Sequence, residues 1–243
     1  MDYVLWTLQY GPWTMNYGLC TMDNERRPWM EIRYIGYHDN LFKEAINQEE
    51  PRVYVFANFK NMLQAKEHYQ RPFLEQESVF LTLQDFKEKL FPTDRLILRE
   101  EKLAVIFYEL LTAEEKDELE IDDYFSAIDL ANEFFRFYAE LKEYQIKQLG
   151  GLRDWQRQKI ETLNNIRERY IARMEELNYS DRTLALDFGN FTTSYLSNHE
   201  EIIFVNKVDF TPLEKELIRR IEAAGKKVSL VLQLAEDDYD REN

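Results

Sequence analysis

An alternation of short apolar strands with amphipathic helices is the feature of this sequence that most restricts its fold. Residues 53–59 form an aromatic and β-branched run typical of a buried strand, and residues 60–69 have helical spacing. Residues 78–83 contain a second apolar strand, which is followed by a helical pattern that Pro92 ends. The order β-α-β-α predicts a parallel sheet with helical crossovers.

The middle of the chain, from residue 95 to residue 177, is almost entirely helical in pattern. Apolar residues recur at every third or fourth position over 124–141 and again over 160–177, which predicts two amphipathic helices. The pair Gly150 and Gly151 is predicted to end the first of them, because glycine adopts the left-handed conformation at little cost.

Strand patterns resume after this helical segment. Residues 202–206 form an apolar strand, and Thr211, Pro212 and Glu214 have the spacing of a capping box with proline at the first helical position. Residues 228–234 form a last strand. The sequence therefore predicts an α/β fold with a mostly parallel sheet and a large inserted helical subdomain.

These patterns divide the chain into four segments. Residues 30–94 are the first part of the α/β domain, 95–180 the inserted helical subdomain, and 181–243 the second part, which we expect to be truncated at its C-terminus. Residues 1–29 hold three of the four tryptophans and show no regular period. They are an N-terminal extension, a mis-called start with Met30 as the natural first residue, or an aromatic lid on the domain.

Composition restricts the class of protein. The chain has 243 residues, 44% of them hydrophobic, which excludes a disordered protein, and no run approaches the roughly 18 apolar residues of a membrane span. A net charge of -15 argues against a surface that binds nucleic acid throughout. The single cysteine, Cys20, allows no internal disulfide and no cysteine cluster. We expect a cytoplasmic protein.

A parallel sheet of this kind raises the question of nucleotide binding, which needs a glycine-rich loop after a strand. No glycine occurs between Arg52 and Leu149, and the only Gly-Lys pair, Gly225-Lys226, lies where a helix passes into a strand. The phosphate-binding loop is therefore missing, and we expect no nucleotide cofactor.

A nucleotide site also needs a pair of carboxylates, and the end of the strand predicted over 202–206 lacks them. A magnesium-nucleotide site needs one carboxylate for the metal and one to activate water. This chain has Asn206 and Lys207 there, and neither can do that work. Asp209 follows closely, but its position before Phe-Thr-Pro favours a role at a turn or helix start over a metal ligand.

Other catalytic patterns are also weak. Glu140-Leu141-Lys142 has the letters of a nuclease motif but lies within an amphipathic helix, and the three histidines are too far apart for a zinc motif. Cys20 has no histidine nearby that would activate it. We expect no metal site and no catalytic residue in this chain.

One basic stretch stands out in this acidic chain. Between residues 147 and 173 there are seven basic and three acidic residues, around a tryptophan. These residues either contact nucleic-acid phosphates beside an aromatic platform or form a solvated helix face whose arginine stems cover apolar surface. The candidate DNA contacts are Lys147, Arg153, Trp155, Arg157, Lys159, Arg167, Arg169 and Arg173.

The order of these elements resembles the first motor domain of superfamily 1 helicases, with its P-loop NTPase-type core and helical insert. More closely, the chain resembles the N-terminal, degenerate helicase-like region of the AddB/RexB-type subunit of bacterial ATP-dependent helicase-nucleases. Residues 53–59, 79–90 and 202–218 carry this resemblance. In active helicases of this superfamily the loop after the first of these strands is Gly-Lys-Thr, and Asp-Glu stands where this chain has Asn206 and Lys207.

The resemblance implies a non-catalytic domain that handles DNA ends in double-strand break repair and recombination. It implies an AddA-type partner subunit and single-stranded DNA in the full complex. The exonuclease domain of such subunits lies far beyond the segment that this chain matches. Two alternatives remain open: a free-standing acidic interaction or scaffold protein, and a small enzyme on an α/β scaffold.

Overall fold

The computed structural model describes residues 30–46, 50–69 and 78–234. Residues 1–29, predicted to be an extension, a mis-called start or a lid, lie outside the described residues. The chain divides into two compact units. A helical unit contains Thr93–Ala185, and a sheet unit contains the described residues before Thr93 and after Ala185.

A five-stranded sheet organises the sheet unit. Its strands are β1 (Glu31–Gly36), β2 (Val53–Phe56), β3 (Val79–Thr82), β6 (Glu201–Val205) and β7 (Lys227–Leu234). They lie in the order β1-β7-β6-β2-β3, and every neighbouring pair is parallel. The predicted α/β fold with a mostly parallel sheet is confirmed.

Within the described residues, four α-helices accompany this sheet, and local sequence signals account for their starts. Asn58 caps one helix by accepting a hydrogen bond from the Asn61 amide, and Thr82 and Thr211 each begin a capping box. The helices are α1 (Leu41–Ala45), α2 (Phe59–His68), α3 (Leu83–Leu90) and α9 (Pro212–Ala223).

The sheet is covered on both faces, as a parallel sheet requires. Strand β2 shows this directly, because all four of its residues are buried. Val53 and Val55 belong to an apolar cluster shared with α3 and α9, whereas Tyr54 and Phe56 belong to a second cluster shared with α1 and α2. The sheet unit is therefore a three-layer α/β/α arrangement.

The helical unit has its own core. Phe107 is fully buried against Phe134, with ring centroids 4.9 Å apart, and Tyr170 donates a 2.5 Å hydrogen bond to Asp181. Burial and the Asp181 carboxylate raise the pKa of Tyr170, which keeps its hydroxyl as a donor. Its elements are β4 (Leu96–Ile97), α4 (Glu100–Leu110), α5 (Ala113–Glu118), α6 (Tyr124–Glu143), α7 (Asp154–Glu176), β5 (Tyr179–Ser180) and α8 (Arg182–Ala185).

Several predicted boundaries are wrong. Helix α6 ends at Glu143, well before Gly150, because Gln145 already adopts a left-handed conformation with φ 54°. The strand predicted over 53–59 stops at Phe56, since Asn58 caps α2 and Phe59 is its first residue. Strand β1 was not predicted, because it lies at the sheet edge and most of its residues are exposed.

Among the described residues, none of the helices is both long and apolar enough to cross a bilayer.

Candidate functional site

The carboxyl ends of β2 and β6 mark the point where the sheet changes its direction of winding. From β2 the chain passes through α2 to β3 on one side, and from β6 it passes through α9 to β7 on the other. Helices α2 and α9 lie on opposite faces of the sheet, so the two connections diverge. In open α/β sheets, ligands bind in the crevice that such divergence leaves. This edge is the candidate functional site.

Asn206 lies in this crevice and is held by β7. Its backbone amide donates to the Val231 carbonyl at 2.7 Å, and its side-chain oxygen accepts from the Gln233 amide at 3.3 Å. Its φ of 54° is left-handed, a conformation that asparagine tolerates better than most residues. The amide oxygen of Asn206 thus already accepts a hydrogen bond from the backbone of β7.

Lys207 points into a buried charge cluster. Its ammonium lies 3.1 Å from Glu214, on the first turn of α9, and 5.1 Å from the centre of the Phe210 ring. The other oxygen of Glu214 is 3.0 Å from the ammonium of Lys87, on α3. The Lys87 and Glu214 side chains are each 5% exposed, and that of Lys207 is 15% exposed. One carboxylate thus pairs with two lysines, and Lys207 is not available to a phosphate.

Asp209, the third predicted position of a degenerate nucleotide site, is exposed and does not line the cavity at this edge of the sheet. Helix α9 is capped instead by Thr211, whose backbone amide donates to Glu214 at 3.0 Å. No group of three or more histidine, cysteine or acidic residues that could hold a metal ion occurs among the described residues.

A polar cavity of about 510 Å³ opens at the same edge of the sheet. Two carboxylates, those of Asp39 and Glu67, line it together with Phe42 and His68. Phe42 and His68 stack with their ring centroids 5.9 Å apart. The remaining polar lining consists of the side-chain amides of Asn40, Asn61, Gln64, Asn206 and Gln233.

Sequence reasoning found only Asn206 among these pocket residues. The others come from the segments that follow β1, from α2 and from β7, which are distant in sequence. What these residues share is their position in the fold. Each lies near the carboxyl end of a strand or on the helix that follows one. Assigning strand β1 from the alternation in residues 31–36 would have pointed to Asp39 and Asn40.

The arginines in the C-terminal half of the basic stretch form contacts within the helical unit. The Arg167 guanidinium lies 4.2 Å from the centre of the Tyr138 ring, Arg169 pairs with Glu115 at 2.5 Å, and Arg173 pairs with Glu176 at 2.6 Å. Burial raises the pKa of Glu115, but hydrogen bonds from Arg169 and from the Thr112 backbone outweigh it and lower the pKa overall. These three arginines support the fold of α7.

The N-terminal half of the stretch is freer. Lys147, Arg153 and Lys159 form no ion pair with another described residue. Arg157 has a long contact of 3.8 Å with the exposed Asp154 and donates a 3.4 Å hydrogen bond to the Leu152 carbonyl. Trp155 is 42% exposed. Lys147 lies in the segment between α6 and α7, and the other four residues lie at the start of α7.

The residues at the start of α7 do not share one face. Trp155 and Lys159 are each two residues from Arg157, which is about 200° around a helix axis. Arg153 precedes Arg157 by four residues and therefore lies on the same side of the helix as Arg157. The structure thus separates the two arginines from the tryptophan that the sequence places among them.

Neither a protein-family model nor any curated protein sequence matches this chain.

Proposed function

We propose that this chain is a non-catalytic, helicase-like domain of an AddB/RexB-type helicase-nuclease subunit, which handles DNA ends in double-strand break repair and recombination. In this proposal an AddA-type partner subunit supplies the motor, the full complex binds single-stranded DNA, and the chain works in the cytoplasm.

The observation that carries the proposal is the state of the crevice between β2 and β6. A site for ATP turnover needs free cations, a metal-binding carboxylate and an acceptor for a proton from water. Here Asn206 bonds to the backbone of β7, and Lys207 is paired with a buried carboxylate. Helix α2 begins with Phe59, where a phosphate-binding loop would need glycine. The crevice thus has the position of a nucleotide site, but it lacks the groups that would bind phosphate and magnesium and accept a proton from water.

DNA contact is supported by the start of α7. The four basic residues there keep their charges exposed or half-buried, without close ion pairs to other described residues, although the chain carries a net charge of -15. An exposed guanidinium without a close partner can approach a phosphate without first breaking an ion pair. We therefore assign the contact to Arg153 and Arg157 rather than to Arg167, Arg169 and Arg173.

Reversing both charges, in Arg153→Glu/Arg157→Glu, is expected to weaken binding of a labelled oligothymidine by at least about fivefold at low salt, because two phosphate contacts become repulsive. Fluorescence anisotropy over a salt series measures this. The slope of log affinity against log salt should also become shallower by about 0.7 for each phosphate that the variant no longer neutralises.

The matched control is Lys43→Glu/Lys66→Glu, which changes the net charge equally at exposed lysines of α1 and α2. It should lose much less affinity than the arginine variant. Equal reductions of affinity in the two variants, or no binding by the unmodified chain at low salt, would contradict the DNA assignment and favour the acidic scaffold protein.

The chain is also expected not to bind magnesium-ATP, as measured by isothermal titration calorimetry. The variant Asn206→Asp/Lys207→Glu, which restores two carboxylates at the end of β6, should gain no ATPase activity, because no glycine loop follows β2. Micromolar binding by the unmodified chain, or turnover by the variant, would overturn the non-catalytic proposal.

A further inference from the structure

The polar cavity at the carboxyl edge of the sheet has a lining that selects against phosphate. Asp39 and Glu67 contribute two negative charges, and no lysine or arginine is among the described residues that line it. Asp39 and Glu67 are both exposed and therefore accessible to a ligand from outside the chain. Neither Asp39 nor Glu67 forms an ion pair with a described residue. The geometry points to a binding site for the guanidinium group of an arginine side chain, presented by a partner protein.

The hydrogen-bonding groups of the cavity support a ligand that only donates. The Gln233 side-chain amide already donates to the carbonyls of Gly36 and Asp39, at 3.3 and 3.0 Å, so its oxygen is left as an acceptor. The side chains of Asn61 and Gln64 make no hydrogen bond to another described residue, which adds two amide oxygens. A guanidinium carries five N–H donors and no acceptor, and it matches a carboxylate in a two-pronged geometry.

The aromatic side of the cavity favours a flat cation over a compact one. Phe42 and His68 stack at an interplanar angle of 28°, and both line the cavity, so a planar group that enters it meets aromatic rings. A guanidinium is planar and stacks on aromatic faces, whereas the lysine ammonium is a strongly hydrated point charge. A sugar could also donate to the amides and carboxylates, but it carries no positive charge to pair with the two carboxylates.

This proposal goes beyond the DNA function and does not depend on it. The DNA contacts assigned above lie in the helical unit, and the cavity lies in the sheet unit. Loss of oligothymidine binding and loss of guanidinium binding are therefore separate results, obtained with different variants.

Titration of the ¹⁵N-labelled 243-residue chain with N-acetyl-arginine amide tests the proposal. Saturable shifts are expected in the side-chain amide signals of the cavity's asparagines and glutamines. The citrulline counterpart, which has the same length but an uncharged ureido group, should bind at least about tenfold more weakly. Equal binding of the two compounds, or no saturable shift with the arginine compound, would overturn the proposal.

Two variants and a control locate the site. Asp39→Asn and Glu67→Gln should each weaken arginine binding by about threefold or more, while Glu114→Gln, at an exposed carboxylate of the helical unit, should leave it unchanged. The capped compound should bind as well as free arginine. Binding of free arginine alone would instead mean an amino-acid site and would refute a side chain as the ligand.

Discussion

Replacing Glu214 with glutamine is expected to lower the free energy of unfolding by about 3–5 kcal/mol, because it leaves two lysines buried without their shared carboxylate. Lys87 and Lys207 lie 3.0 and 3.1 Å from the two oxygens of Glu214, and all three side chains are largely buried. Glutamine can still accept from the Thr211 amide, so the decrease reports on charge and not on the helix cap. The midpoint of urea unfolding measures it.

Glu222→Gln is the control on the same helix. Burial raises the pKa of Glu222, so removing its charge should cost little or slightly stabilise the protein. A decrease below about 1 kcal/mol for Glu214→Gln would mean that water or other groups compensate the lysines, and that the charge cluster does not stabilise the joining of α3 and α9.

Truncating Phe107 to alanine is expected to destabilise the helical unit by about 3–5 kcal/mol, since the phenyl ring is fully buried and the neighbouring helices cannot close the cavity. Phe107 contacts both Phe134 and Phe135, with ring centroids 4.9 and 6.2 Å away. Thermal unfolding followed by circular dichroism gives the change in stability.

Phe125→Ala provides the matched comparison, because the same ring is removed from a side chain that is 75% exposed. Its effect should stay within about 0.5 kcal/mol. If both variants were destabilised to a similar extent, the core of the helical unit would not be centred where Phe107 lies. Two separate transitions would show that the two units unfold independently.

Much of the sheet could be predicted because its signals are local. Residues 53–56 and 202–205 are continuous apolar runs, which is what a strand buried on both faces requires. The capping box at Thr211 and Glu214 also lies within four consecutive residues, and it forms as predicted. Strand β1 was not predicted, because an edge strand needs no apolar run. Its pairing with β7 also joins residues some 200 positions apart.

Less of the candidate site could be predicted from the sequence. The identities of Asn206 and Lys207 showed that catalytic carboxylates are missing, since that inference needs only the residue types at the end of one strand. The partners of Lys207 could not be inferred, because Lys87 and Glu214 are brought together only when α3 and α9 pack on the same face of the sheet.

The sequence alone determined the α/β class, the parallel strands and the missing phosphate loop, because hydrophobic period, capping residues and glycine positions are properties of short segments. Only the tertiary structure decided which charges remain available. In the folded chain Arg167 contacts Tyr138, Arg169 pairs with Glu115, and Asp39 and Glu67 line one cavity. The physical reason is that the partners of a charge are chosen by packing between distant segments, and a local pattern cannot specify them.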